Sequence, residues 1–441
     1  MRLLVIPPPV QPDVYPAVAG CPAADCGSRH VQFRQAVRKP LRDTILTEVV
    51  AHRDQCPRRG RTFRVYPVGV SHDQSSDRLQ GMAVLLSVLG LSYGAVALAL
   101  EAFGCPLSKV AVYDAVQEAG ARVAGLRREA VRRGGGRVVG LGADLTSVRC
   151  GGAWLTVGVS VDAVSGLALT IDLLPNGDAQ TLSAWIGELA TAVGAEIVVT
   201  DDADGFQLAA DASGLAHQVC KAHVRRNTEA WVTGIAPGLA ADADGSLARL
   251  GVTPDQALAD GQTPRRLIGE RQPTAEANAT LETIHRRYLE APAPRQGETA
   301  SLAYRVRLFS LDRWQRWGRL TRYRTWQGPH GETLDGTNNA CERAIGWWVK
   351  ERDRSMRGDK RAESVLNVSR LIAAMGNALD GPGFVLAEVI AQTPWGRGAA
   401  CLPPHSSPTR PRSEQSRRRL WWPPAWHRRR GCPRRDAPPG R

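Results

Sequence analysis

The sequence is 441 residues long, and no leader of the secretory type is expected from it. Its opening, MRLLVIPPPV, offers four apolar residues before three prolines, too short for the core of a signal peptide. It has no disulfide framework either. Nine cysteines, an odd number, stand far apart at 21, 26, 56, 105, 150, 220, 341, 401 and 432, which suits a reducing cytosol and makes the cytoplasm the expected location. No internal repeat is visible. One stretch, Met82 to Leu100, runs 19 residues without a charge, near bilayer length. Gly90, Ser92, Tyr93 and Gly94 interrupt it, so no membrane span is expected. The body also lacks a strong charge excess. The net charge of +14 and pI of about 9.8 suggest a polyanionic partner such as nucleic acid. Yet twelve arginines against Glu414 and Asp436 between Arg397 and Arg441 supply ten of those charges.

What is present fits about three domains at ~150 residues each, with 43% hydrophobic residues to build cores. Residues 1–75 are rich in proline, arginine and cysteine. Residues 76–130 read as helices: Leu79 to Leu89, then GLSYGAVALALEAFG, then PLSKVAVYDAVQEAG with Ser108 as N-cap. Short helices joined around a glycine give a helix-turn-helix-like pattern, which a small helical bundle shares. From residue 137 the period changes. RVVGLGADLTSV, AWLTVGVSVDA and GLALTIDLLP are three strand-like runs separated by tight turns. A helix capped by Asp178, the buried-strand run AEIVVTDD, the helical DGFQLAADASG and the strand AHQVC follow. Three antiparallel strands, then alternating helix and strand, is the order of an RNase H-like α/β domain. Residues 225–335 read as an all-helical insertion, and residues 336–385 as returning helices, with Thr337 or Asn338 as N-cap. Residues 397–441, rich in proline and arginine, read as a disordered basic tail.

Three carboxylates stand out. Asp144 interrupts the first strand of the α/β domain, where an aspartate is a poor strand former and costly to bury. Asp201 and Asp202 follow the EIVVT strand, and ligands bind beyond such strand ends. Glu342 stands 141 residues after Asp201, on a helix dense in basic residues. Each also has an ordinary reading, as a bulge residue, a helix cap and a solvated acid. In the RNase H arrangement, acids from the first strand, the end of the fourth strand and a later helix converge. Such a cluster suits Mg²⁺, and two ions about 3.5–4 Å apart serve in-line phosphodiester chemistry.

The stretches VVGLGADLTS, IVVTDDADGF, HQVCKAHVRRN and TNNACERAIGWWVKERDRSMRG resemble a bacterial insertion-sequence transposase of the DDE class, in the group related to Mutator-like elements. The resemblance spans residues 10–385 and carries the C-x2-H pair Cys220 and His223 of that group. It implies metal-dependent DNA cleavage and strand transfer at element ends. It implies that Asp144, Asp201 and Glu342 hold Mg²⁺, with two ions expected and Mn²⁺ able to substitute. Asp202 is the alternative second acid. Cys220 and His223 would lie beside the active site, holding the insertion or contacting DNA. The partners implied are element ends, target DNA and further copies of the chain, as a dimer or higher assembly on DNA. His223 to Arg226 also matches the short H-x-x-R pattern of tyrosine recombinases, without any matching tyrosine context.

Zinc ribbons often precede the helix-turn-helix in such transposases. Here Arg59 stands where a partner for Cys56 is expected, so Cys21, Cys26 and Cys56 are not expected to hold Zn²⁺, although His30 or His52 would complete four ligands. DNA contacts are expected from Ser108 and Lys109 and from the basic residues around Glu342: Arg343, Lys350, Arg352, Arg354, Arg357 and Lys360. Arg313 to Arg324 alternate with Trp314, Trp317, Tyr323 and Trp326, for stacking on unpaired bases or for the insertion's core. Two other readings stay open. One is an inactive or repurposed element-derived DNA-binding protein. The other is a stand-alone RNase H-like nuclease.

Overall fold

The computed structural model describes residues 4–123, 126, 131, 137–356, 360–379 and 384–388. The chain divides into units Met1–Ala400 and Cys401–Arg441, and all described residues belong to the first. The expected basic tail at 397–441 and the candidate DNA contact Arg357 lie outside the described residues.

Alternating side chains build a central five-stranded sheet. Its strands are β5 (Gly140–Cys150), β6 (Ala153–Asp162), β7 (Ala168–Leu174), β8 (Ile197–Thr200) and β9 (Ala216–Val219), in the order β7-β6-β5-β8-β9. β5 to β7 form an antiparallel meander, while β8 and β9 add in parallel. The mixed sheet follows from the connections. Tight turns join the first three strands, and helices α4 (Ala179–Val193) and α5 (Asp204–Ala212) carry the chain back for the last two. Asp178 caps α4 as its sequence suggests, accepting from the Thr181 N–H at 2.8 Å.

The period of two along β5 sorts its residues between two cores. Leu141 and Ala143 pack with Leu182, Ile186, Leu189 and Phe206 of α4 and α5. Val148 faces the opposite side with Val157, Val159, Val161 and Ile171. That side is covered by α11 (Asn339–Ala344) and α13 (Ala362–Asn377), through Cys341, Ala344, Val365 and Leu371. Each fully buried Leu or Ile stabilises such a core by about 1.5–3 kcal/mol. Asp144 shares the parity of Val148 and therefore points toward α11.

Before the sheet lie three helices, α1 (Asp77–Val88), α2 (Tyr93–Ala102) and α3 (Lys109–Arg122), each capped by a serine. The 19-residue charge-free stretch is thus the end of α1, a turn and most of α2. Among the described residues, no helix is long and apolar enough to cross a membrane. Residues 1–75 hold strands that the sequence reading did not anticipate. β1 (Val5–Ile6) pairs in parallel with β10 (Phe384–Val385), and β2 (Gln32–Pro40), β3 (Glu48–Gln55) and β4 (Thr62–Val65) form an antiparallel sheet.

Between β9 and α11 lie α6 (Lys221–Ala241), α7 (Ser246–Arg249), α8 (Pro254–Glu270), α9 (Thr274–Arg287) and α10 (Leu302–Thr321). α6 runs through the expected boundary at residue 224. Of the two readings for the tryptophans of α10, stacking on bases or core, Trp317 takes the second: it is fully buried, with Leu320, Leu267 and Leu281. Its arginines bind acids of the α/β domain. Arg313 meets Asp202 at 2.7 Å, Arg316 meets Asp204 at 2.6 Å and Arg319 meets Asp211 at 2.8 Å.

The helix after Asn338 departs from continuous 3.6 periodicity. Ile345–Lys350 widens into a π-type turn before α12 (Glu351–Met356). In this turn Trp347 is 60% exposed while Trp348 is buried.

Candidate acidic site at the central strands

Asp144, Asp201 and Glu342 come from three elements, and each aspartate is fixed by a neighbouring backbone N–H. Asp144 sits mid-β5, with its Oδ1 accepting the Leu145 N–H at 2.8 Å. Asp201 follows β8, and its Oδ1 accepts the Ala203 N–H at 3.1 Å. Glu342 lies in the first turn of α11, whose start is pinned to β5. Asn338 Nδ2 donates to the Ala143 carbonyl at 3.0 Å. Asn338 is the N-cap by position, but its side chain makes no cap hydrogen bond, contrary to the expected role. Gly142 permits this approach. A Cβ there would stand 3.0 Å from Asn338 Oδ1 and 2.9 Å from Val161 Cγ2.

Asp144 feels the other two carboxylates. Burial pushes the Asp144 carboxyl up to about 7; the Leu145 N–H opposes that, while the charges of Asp201 and Glu342 add to it. Burial also raises Asp201, and the Ala203 N–H and His223 oppose it. Arg226 on α6 lowers both. Asp202 turns away. Its side chain is 1% exposed and meets Arg313 at 2.7 Å, while its Oδ2 accepts from Asn227 Nδ2 at 3.2 Å. The adjacent acids therefore divide the work. Asp201 joins Asp144, and Asp202 ties the insertion to the sheet.

The C-x2-H pair closes the other side of Glu342. Cys220 follows β9 and precedes α6, its N–H bonded to the Thr200 carbonyl at 2.8 Å. Its Sγ accepts the Asn338 N–H at 3.2 Å. His223 Nε2 lies 3.3 Å from Glu342 Oε1. The ligand atoms of Cys220, His223 and Glu342 all lie within 4.8 Å of one another. No family model matches the chain, and none of the curated proteins compared with it is a significant match.

Donor chemistry gives the fit to a cation. Asp144, whose proton affinity is raised by burial and then by the charges of Asp201 and Glu342, shares with them a set of hard oxygen donors, and Mg²⁺ is bound by such ligands. Sequence reasoning missed two residues here. Arg226 was visible in the H-x-x-R spacing, which puts it one turn beyond His223 on α6. Asn338 was read as a helix cap, and nothing local reveals its bond to β5.

The other predicted residues scatter. Ser108 Oγ accepts the Ala111 N–H at 3.1 Å as the cap of α3, beside the exposed Lys109. Lys350 Nζ donates to the Ser147 carbonyl. Arg352 is buried and donates to the Leu91 carbonyl. Arg343 is exposed, and Arg354 pairs at the surface with Glu351 at 3.7 Å. At the N-terminus, the thiols of Cys21, Cys26 and Cys56 converge within 4.8 Å. No fourth protein ligand joins them among the described residues. Arg59 pairs with Asp25, and His52 stacks on Tyr15 at 3.8 Å.

Proposed function

We propose that the chain is a transposase of the DDE class, acting on DNA through an RNase H-like domain with a helical insertion. The observation that carries this reading is that Asp144, in the first strand, feels the charges of Asp201, past the end of the fourth strand, and of Glu342, on a distant helix. The strand order β7-β6-β5-β8-β9, with its antiparallel meander and two parallel additions, supports it.

Asp144, Asp201 and Glu342 would hold Mg²⁺, which when bound supplies Lewis acidity toward phosphate oxygens and an activated nucleophile. The remaining work falls to the chain. Asn338 fixes the start of α11 against β5 and so sets where Glu342 stands relative to Asp144. His223 orients the Glu342 carboxylate. Arg226 offsets part of the cluster's negative charge and is exposed to a phosphate backbone. Arg343 and Lys109, both exposed, are the contacts that would attract DNA. In the helical region 76–120, α3 would read the element ends.

The test uses a plasmid carrying the gene with its native flanks, incubated with purified protein and Mg²⁺ or Mn²⁺. New 3′ ends are mapped beside an Asp144→Asn control. Breaks at fixed positions outside the gene, lost in the control, are expected. DNA binding without metal-dependent cleavage would favour a repurposed DNA-binding protein, a reading that the missing fourth ligand beside Cys56 also favours.

A further inference from the structure

We infer that Cys220, His223 and Glu342 form a second metal site, one that takes a thiophilic divalent cation of the Zn²⁺ type and competes with the acid cluster for Glu342. The competition rests on the reading of Glu342 as the third acid; the metal site itself does not.

The donor set carries the inference. A thiolate, an imidazole and one carboxylate suit Zn²⁺ and its soft relatives, whereas Mg²⁺ prefers oxygen alone. The geometry agrees. A tetrahedral ion with bonds of about 2.0–2.3 Å holds its ligands about 3.3–3.7 Å apart. His223 Nε2 and Glu342 Oε1 already stand at 3.3 Å, and all three ligand atoms lie within 4.8 Å of one another. Small side-chain rotations would complete the set and leave a fourth position open. Two of the ligands sit three residues apart at the start of α6, on one helix face.

The surroundings favour a bound ion as well. The Asn338 N–H directed at Cys220 Sγ, 3.2 Å away, is an outer-shell donor of the kind that steadies a metal-bound thiolate. His223 Nδ1 is buried and makes no hydrogen bond among the described residues, so the outer-shell contact at this site is on the sulfur. Binding replaces the thiol proton of Cys220 with the metal, releasing one proton to solvent.

The consequence is regulatory. A carboxylate drawn toward Cys220 and His223 is withdrawn from Asp144 and Asp201. Zinc at this site therefore weakens the hard-cation site, and the chain is inhibited by zinc rather than activated by it.

The test uses the full metal-stripped chain and Co²⁺ as a spectroscopic probe for zinc. Titration should give a sulfur-to-metal charge-transfer band. Cys220→Ser should remove one thiolate's share of it, and His223→Ala should lower Co²⁺ affinity at that site about 10–100-fold. A Cys56→Ser chain should keep the Cys220-dependent part, which separates this site from the N-terminal thiols. Mn²⁺ paramagnetic resonance supplies the second readout. Zinc should displace Mn²⁺ from the wild-type chain but not from Cys220→Ser. Spectra and stoichiometry unchanged in both Cys220→Ser and His223→Ala would overturn the metal site, whether or not the chain cleaves DNA. Zinc bound at Cys220 without Mn²⁺ displacement would overturn the shared use of Glu342. Failure of the chain to bind Mn²⁺ at all would also overturn that shared use. It would count against the transposase reading too, while the Co²⁺ result still decides the metal site.

Discussion

Asn338 and Ala143 lie 195 residues apart in sequence and are joined by a 3.0 Å hydrogen bond from the Asn338 amide to the Ala143 carbonyl. Asp144 is the next residue along the strand, and Glu342 lies one turn into the helix that Asn338 begins. This one bond therefore couples two acids from distant parts of the chain. Asn338→Ala should cost about 1–3 kcal/mol by leaving a buried carbonyl under-satisfied. Cleavage should fall further than stability explains, with DNA affinity kept. Urea denaturation beside a cleavage assay separates the two effects.

Asp201 and Asp202 should behave as opposites. Asp201→Asn removes one charge from a repelling cluster, so the metal-free chain should keep or gain stability while losing metal-dependent cleavage. Asp202→Ala removes the 2.7 Å partner of Arg313, whose side chain is 9% exposed, and leaves it Asp312 at 3.2 Å. Losing one partner of a buried pair costs about 3–5 kcal/mol, and Asp312 offsets part of that. Denaturation midpoints and cleavage rates of the two variants check this. Equal stability would show that Asp202 does not hold the insertion.

The Asp144 carboxyl, lifted by burial first and by Asp201 and Glu342 as well, titrates at about 7. In an unfolded chain it titrates near 3.9. Between those values the folded chain keeps a proton that the unfolded chain has released. Stability of the metal-free chain should therefore fall as pH rises from about 4 to about 7, then level off, losing roughly 3–5 kcal/mol. Asp144→Asn should remove that slope, and added Mg²⁺ should offset the loss above pH ~7. Melting curves across pH, with and without the ion, measure it. Affinity for Mg²⁺ should rise with pH through about 7 as the proton leaves.

The tryptophans should separate by burial. Trp317→Ala empties a closed core and should cost about 3–5 kcal/mol. Trp347→Ala removes an exposed side chain and should cost under about 0.5 kcal/mol. If Trp347 stacks on an unpaired base at a cleaved end, its loss should weaken single-stranded DNA binding by about 1–3 kcal/mol. Thermal melts and fluorescence anisotropy give the two readings.

The sequence by itself determined the local elements of the α/β domain. Its period of two marked β5, β6 and β7, its short apolar runs marked β8 and β9, and Asp178 and Ser108 marked helix starts, because these signals depend only on neighbours along the chain. It also marked Asp144, Asp201, Asp202 and Glu342 as acids worth explaining. Tertiary structure decided what they meet. Asp201 and Asp202 are indistinguishable in sequence, and their roles divide only when α10 brings Arg313 against one and β5 brings Asp144 beside the other. Thr337 and Asn338 both read as caps, yet Asn338 spends its side chain on a strand that no local pattern names. The same holds for the tryptophans of α10 and for the three N-terminal thiols, brought together by folding over residues 21–56. Short-range propensity fixes an element. Which side chains meet depends on how those elements pack, and that is settled by burial and hydrogen bonding between residues far apart in the chain.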